Sequence, residues 1–213
     1  MSDEFKELVS ARNPKVKVKL LEGHFARKNS HVNTYIDLTN IRCVCGQARE
    51  TAKILAEPYL SSLQVDTIIC LDGMEVVGAF LAEALAEKGM LSINSGKELM
   101  ILAPETNPMG QMMFRDNVKS MIKGKNVLIL AGSINTGNTM LQAIDTVLYY
   151  EGKVAGVCSV FSAVSKVAGI AIQSVFSKKD IPGYQVYPNN GCPMCEKKEK
   201  VDAIVSSYGY SRI

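Results

Sequence analysis

Apolar positions along the chain fall into two patterns. Short continuous apolar runs occur at residues 66–71 (Asp-Thr-Ile-Ile-Cys-Leu), 99–102, 127–130 and 154–161. Runs of this length without alternation suit strands whose two faces are both covered. Between them the spacing turns helical: Ala48, Ala52, Leu55, Ala56 and Tyr59 within residues 47–60, an Ala- and Leu-rich stretch at 75–88, and Leu141, Ile144, Val147 and Leu148 further on. Gly89 and Gly152 stand where C-terminal stops are expected. Residues 16–20 alternate with lysines, as an edge strand would, and residues 31–38 predict another strand. Residues 172–176 and 185–187 read as further short strands. Residues 3–11 read as a short charged helix, 103–117 as a long loop, and the tail after Cys195 as helical through Val205. Alternating strands and helices predict an α/β fold with a mostly parallel central sheet flanked by helices. No internal repeat or linker divides residues 1–213, so a single domain is expected.

Composition narrows the function. A chain of 213 residues buries one sizeable core. Its 47% hydrophobic and 21% charged residues are ordinary for a soluble globular protein. The net charge of +3 is small and the basic residues are scattered, apart from Lys197, Lys198 and Lys200, so no nucleic-acid partner is expected. No apolar run reaches the roughly 18 residues that span a membrane. The charged N-terminus does not resemble a secretory leader, and a cytoplasmic location is expected.

Of six cysteines, Cys70 and Cys158 sit inside apolar runs and read as small buried hydrophobes. The others form two close pairs, Cys43-Val-Cys45 and Cys192-Pro-Met-Cys195. Together these four could complete a tetrahedral structural zinc site; the alternative is a reduced pair that binds nothing. A redox role is less favoured, because such a pair should open a helix early in its fold. His24 and His31 are the only histidines, and a polar-loop histidine is more often solvated than an acid–base group. Met109, Met112, Met113 and Phe114 read either as an adaptable lid or as loop packing.

The segment Asn126-Val-Leu-Ile-Leu-Ala-Gly-Ser-Ile-Asn-Thr-Gly-Asn-Thr-Met140 carries the clearest chemistry. A buried strand runs through a loop of small residues into a helix, which aims several backbone N–H groups and the positive end of the helix dipole at one spot. That spot suits a phosphate. Thr136 and Thr139 can add hydroxyl donors, and Gly137 permits close backbone approach. The loop lacks the lysine of a nucleoside-triphosphatase P-loop and is not a Gly-x-Gly-x-x-Gly dinucleotide turn.

This loop resembles the phosphate loop of type I phosphoribosyltransferases, and the resemblance covers roughly residues 21–161. It is nearest to orotate phosphoribosyltransferase-like proteins. Residues 22–37 are similar to the family's opening turn and hood strand, with Lys28 at the place of its lysine. Residues 66–78 are similar to the strand and turn that hold pyrophosphate, and 154–161 to the strand after the phosphate helix. The resemblance implies a type I phosphoribosyltransferase-like fold, with a small hood built from the N-terminal ~40 residues and the C-terminal segment. It also implies a homodimer, a phosphorylated ribose ligand and Mg²⁺ during catalysis. Carried over singly, Asn135, Thr136, Gly137, Asn138 and Thr139 hold the 5-phosphate, while Asp72 and Gly73 line the pyrophosphate turn.

Two departures shape the functional expectation. Ala131 and Gly132 stand where the family has two carboxylates, and residues 104–114 contain no basic residue. Removing one charged group that stabilises a transition state commonly costs ~3 kcal/mol. Asp72 or Glu105 would have to replace the acidic pair; with Lys28 they are the catalytic candidates, and Glu75 is a further carboxylate near that turn. Two readings follow: transfer of phosphoribosyl to a nitrogen base, or a non-catalytic sensor of a nucleotide or of phosphoribosyl pyrophosphate.

Overall fold

Two sheets organise the chain in this computed structural model, which describes residues 4–88 and 92–213. The first half runs β1 (Lys6–Val9), β2 (Lys17–Ala26), β3 (His31–Asp37), α1 (Thr39–Cys43), α2 (Cys45–Ala56), β4 (Thr67–Cys70), α3 (Glu75–Ala86), β5 (Met100–Leu102), β6 (Glu105–Thr106), β7 (Met112–Met113) and α4 (Asp116–Lys119). The second half runs β8 (Asn126–Ile134), α5 (Asn138–Tyr149), β9 (Lys153–Ser162), β10 (Lys166–Val167), β11 (Ile170–Ser177), β12 (Val186–Tyr187), α6 (Pro193–Glu196), β13 (Ala203–Ser206) and β14 (Gly209–Arg212). Among the described residues no helix is long and apolar enough to cross a membrane.

The central sheet has the order β10-β11-β9-β8-β4-β5. All of its pairings are parallel except that of the short edge strand β10. Its apolar runs divide by alternation between two cores. Ile68, Cys70, Leu128, Leu130, Cys158 and Val160 face α2 and α3, joined there by Ala52, Leu55, Val77 and Leu81. Ile69, Leu71, Val127, Ile129, Ala131 and Val157 face α5, against Met140, Ala143, Ile144 and Val147. With both faces covered, most strand positions are apolar, Thr67 and Ser159 being buried exceptions, so the runs lack the alternation of a half-exposed strand. From β4 the chain moves outward to β5, then returns on the other side of β4 to β8, β9 and β11. The strand order therefore reverses between β4 and β8, and ligands of such sheets gather at the carboxyl ends of strands flanking this kind of reversal.

The second sheet has the order β12-β3-β2-β13-β14, with β1 also paired to β2. β1 covers residues 17–20 of β2, and β13 continues along the same side at Phe25 and Ala26. Its strands thus come from both ends of the chain. Val18, Leu21, Phe25, Ala203 and Val205 pack into the core shared with α2 and α3.

Several expectations are corrected. Lys19 and Leu20 are not edge residues, since they pair with both β1 and β3, and β1 stands in place of the short charged helix expected there. The tail after Cys195 is a β-hairpin, not a helix: β13 and β14 pair through residues 203–212, with Ala203 and Val205 inward and Ile204 and Ser206 outward. Its period of two is masked by the charged residues before it. The long loop at 103–117 contains the β6–β7 hairpin and α4. At the end of α5 the left-handed residue is Glu151, not Gly152. The N–H of Glu151 donates to Leu148 O and that of Gly152 to Val147 O, a Schellman pattern. Gly152 serves packing instead, since a Cβ there would stand 2.8 Å from Val147 Cγ1. The stop assigned to Gly89 lies outside the described residues.

Candidate functional site

A cleft of about 210 Å³ opens at the reversal between β4 and β8. Four segments meet there: Leu71 and Asp72 after β4, residues 133–140 from β8 into α5, Arg27 to Ser30 after β2, and Val205 to Tyr208 of the C-terminal hairpin.

The segment from β8 into α5 forms one wall. β8 runs through Ala131 and Gly132 to Ile134, four residues further than its apolar run suggests, because β9 pairs with it as far as Ser162. Gly137 then takes φ +88° and immediately precedes α5. No side chain caps that helix, and its first backbone bond runs from Leu141 N–H to Gly137 O. The preceding N–H groups are therefore the ordinary unsatisfied donors of a helix start, and they open into the cleft. Thr136, Asn138 and Thr139 are exposed to it. Asn135 is partly committed, since its Oδ1 accepts from the buried Tyr184 hydroxyl, leaving its amide NH₂ as the donor for a ligand.

The turn after β4 forms the opposite wall. Asp72 and Gly73 take φ +60° and +73°, and Met74 N–H closes the turn onto Leu71 O. Asp and Gly are residues that accept consecutive positive φ angles. Burial pushes the Asp72 carboxyl up from its ordinary value, against the opposing influence of Arg27, the Ser207 hydroxyl, the Gly132 N–H and Arg42. Gly73 lies under Arg42, which donates to Gly73 O at 3.4 Å and to Ser207 O at 2.9 Å and stacks on Tyr208. A second phosphate at this turn would meet a guanidinium as well as backbone.

Positive charge comes from Arg27 and Lys28. Arg27 donates to Ser133 Oγ at 3.3 Å, tying the end of β2 to the end of β8. Lys28 lines the cleft, and its Nζ reaches the β6–β7 turn, 3.0 Å from where a Cβ on Gly110 would stand. Sequence reasoning misses Arg27, Arg42 and residues 206–208. Arg27 has a usable signal, as the neighbour of Lys28 in one turn. The C-terminal arm has none, since only the second sheet brings it to the cleft.

Other candidates are corrected. Glu105 is exposed on β6, forms a two-pronged ion pair with Arg115, and is not among the cleft-lining residues. Met109 is 85% exposed, Phe114 is buried in the α5-side core with Met112 packed against it, and none of the cluster is among the cleft-lining residues. Cys43 and Cys45 are exposed at the α1–α2 junction, and the structure does not bring them to Cys192 and Cys195. The cysteines of the tail converge instead on His24 and His31. Neither histidine is a solvated loop residue, since both lie in strands and His24 is 3% exposed.

The Mg²⁺ implied by the resemblance can be tested against these donors. Asp72 is the one carboxylate among the described residues lining the cleft, and it already takes the Gly132 N–H and the Ser207 hydroxyl between two arginines. Mg²⁺ is usually held by one or two carboxylates together with substrate phosphates. A carboxylate already engaged by Gly132 and Ser207 and set beside two guanidiniums does not fit that role.

No known family's sequence profile matches the chain, and no curated protein sequence matches it. Solved structures do. The UMP synthase of Leishmania donovani superposes with a TM-score of 0.56 at 16% identity over 76% of this chain, which spans only 34% of that protein. An orotate phosphoribosyltransferase of Mycobacterium tuberculosis gives 0.54 at 16% identity, covering 78% of this chain and 93% of the other. An adenine phosphoribosyltransferase of Thermoanaerobacter pseudethanolicus gives 0.52 at 14% identity, covering 81% and 95%. The chain has the type I phosphoribosyltransferase fold.

Proposed function

We propose that the protein binds a ribose 5-phosphate group, carried by a nucleotide or by phosphoribosyl pyrophosphate, and acts as a sensor of that ligand. The observation that supports this most is the uncapped start of α5, opening into a cleft flanked by Arg27 and Lys28. The phosphate sits against the N–H groups at 137–140 and the hydroxyls of Thr136 and Thr139. Ribose then lies toward Asp72. Binding without turnover is supported by Ala131 and Gly132 in place of an acidic pair and by the lack of a basic residue in 104–114. A homodimer is the natural route for such a sensor to report, and light scattering with and without ligand tests it.

Titration calorimetry with ribose 5-phosphate is the direct test. A hydroxyl bonded to a charged phosphate contributes roughly 1.5–3 kcal/mol, so Thr139→Ala is expected to weaken affinity about ten- to a hundredfold. The fold should survive, since Thr139 is exposed and bonded to nothing in the core. Unchanged affinity would mean that the loop is only a turn.

A second reading, transfer of phosphoribosyl to a nitrogen base, is favoured by Asp72 alone. There a ring nitrogen of the base attacks the anomeric carbon, the C–O bond to pyrophosphate breaks with its electron pair leaving on oxygen, and the nitrogen's proton passes to the Asp72 carboxylate. A raised carboxyl pKa improves such a base. Asp72→Asn separates the readings. In the sensor it removes a negative charge beside the bound anion and is expected to tighten binding several-fold. In a transferase it abolishes pyrophosphate release. The same variant has a pH signature. Between the ordinary carboxylate pKa and the raised value the folded chain binds the proton more tightly than the unfolded chain, so stability falls as pH rises through that window. Asp72→Asn should flatten that part of the curve in urea melts.

A further inference from the structure

We propose that His24, His31, Cys192 and Cys195 bind one Zn²⁺ in a closed, structural site that pins the C-terminal arm to the hood. One ligand atom from each residue lies within 4.8 Å of all the others. The nitrogen–sulfur separations are 3.6 Å from His24 Nε2 to each of Cys192 Sγ and Cys195 Sγ, and 3.4 Å from His31 Nδ1 to Cys195 Sγ. A tetrahedral zinc with bonds of about 2.3 Å to sulfur and about 2.05 Å to nitrogen has N···S edges of about 3.6 Å. The observed edges match it. The two imidazole nitrogens stand 2.8 Å apart, and they would open by about 0.5 Å to reach the corresponding N···N edge.

The surroundings orient these donors toward one point. The pairing of β2 with β3 shifts register between Glu22 and Phe25. This bulge breaks the alternation, so His24 and Phe25 are both buried. His24 Nδ1 lies 3.0 Å from Glu199 O. A carbonyl can only accept, so the proton sits on Nδ1 and Nε2 keeps its lone pair for the cluster. Metal-binding histidines are commonly held by such a second bond. The loop carrying the cysteines is stitched to the same residue: His24 N–H donates to Asp202 Oδ2, and Asp202 N–H donates to His24 O, both at 2.8 Å. Cys192 is 1% exposed, and Cys195 follows it on the single turn of α6. A pair of histidines hydrogen-bonded to each other would need neither cysteine.

The donor set indicates the metal and its role. Two thiolates and two imidazoles at tetrahedral spacing suit Zn²⁺. Four protein ligands leave no open position for water or substrate, so the site is structural rather than catalytic. Its location gives it a task. β13 begins at Ala203, just after the knuckle, and residues 205–208 line the cleft. The metal would hold that wall of the ligand site in place.

Metal analysis of the purified full chain tests this by a route independent of ribose-phosphate binding. One equivalent of zinc per chain is expected. Cys195→Ser and His31→Ala should each reduce it to near zero, and the partial exposure of these residues favours folded variants. The double variant Cys43→Ser/Cys45→Ser should keep the full equivalent. Replacement by Co²⁺ should give the visible absorption of a tetrahedral, two-thiolate centre. Chelation should lower the melting temperature of the parent and leave Cys195→Ser unaffected. Absence of zinc and of cobalt binding, with four titratable thiols beyond Cys70 and Cys158, overturns the proposal. So does a Cys192–Cys195 disulfide seen by mass, or zinc that depends on Cys43 and Cys45.

Discussion

Gly137→Val is expected to abolish measurable ribose 5-phosphate binding, a loss of more than about a hundredfold. Gly137 holds φ +88° at the start of α5, a region that costs an ordinary residue roughly 1–2 kcal/mol and a β-branched one more. Its missing side chain also leaves room for a neighbour: a Cβ would stand 2.9 Å from Val167 Cγ2. Valine must therefore move either the loop or β10. Either shift turns the N–H groups at 137–140 away from their common focus. These groups act together, so misdirecting them costs more than the single hydroxyl removed in Thr139→Ala. Gly137→Ala should fall between the two, because it keeps the strained φ with less crowding. Calorimetric titration of all three variants, with circular dichroism as the folding control, gives the ranking. Parent-like affinity in a folded Gly137→Val would remove the phosphate loop as the binding element.

The central sheet is legible in the sequence because burial on both faces leaves a simple record. Continuous apolar runs at 66–71, 127–130 and 154–161 become β4, β8 and β9. The loop from Asn135 to Thr139 is legible because small residues between an apolar run and a helical period have few other uses. The second sheet is harder to read. Its strands come from residues 6–37 and 186–212, and half of their positions are polar because only one face is covered. Local pattern does not show that Ala203 pairs with Phe25, nor that Ser207 and Tyr208 reach the cleft. The cysteine pairs show the same limit. Cys192-Pro-Met-Cys195 is visible as half of a metal site, but matching it to Cys43 and Cys45 rests on residue type rather than on position in space. A β-bulge aims His24 at the cysteines, and one-dimensional spacing carries no trace of it. The C-terminal hairpin eludes the pattern for a related reason: four-residue strands after a charged run offer too few positions to separate a period of two from a helical one.

Restoring an acidic residue by Gly132→Asp is expected to destabilise the protein by about 3 kcal/mol or more without creating transferase activity. The space beside Gly132 is already filled. A Cβ on Gly132 would stand 3.1 Å from Met74 Cε, 3.2 Å from Leu38 Cδ1 and 3.6 Å from Asp72 Cβ. Leu38 and Met74 are themselves fully buried, so neither has a free direction in which to retreat. Overpacking of this kind costs about 1–3 kcal/mol. The new carboxylate would also lie beside Asp72, whose pKa burial already raises. Two like charges at that spacing raise each other's pKa further. Carboxyls raised in the folded state weaken stability as pH increases, so the charge part of the deficit should vanish near the ordinary carboxylate pKa, leaving only the crowding, and be complete at neutral pH. Gly132→Ala supplies the control, since it carries the crowding without the charge and its deficit should not vary with pH. Urea midpoints for both variants across the acidic range separate the two causes. A Gly132→Asp protein as stable as the parent at neutral pH, and releasing pyrophosphate with any base, would show that the cleft retains the geometry of a transferase and lacks only a carboxylate. The expected result places the departure deeper: Leu38 and Met74 fill the space beside Gly132, and Asp72 is enclosed by Arg27, Arg42 and Ser207, so a single added carboxylate meets a site already packed against it.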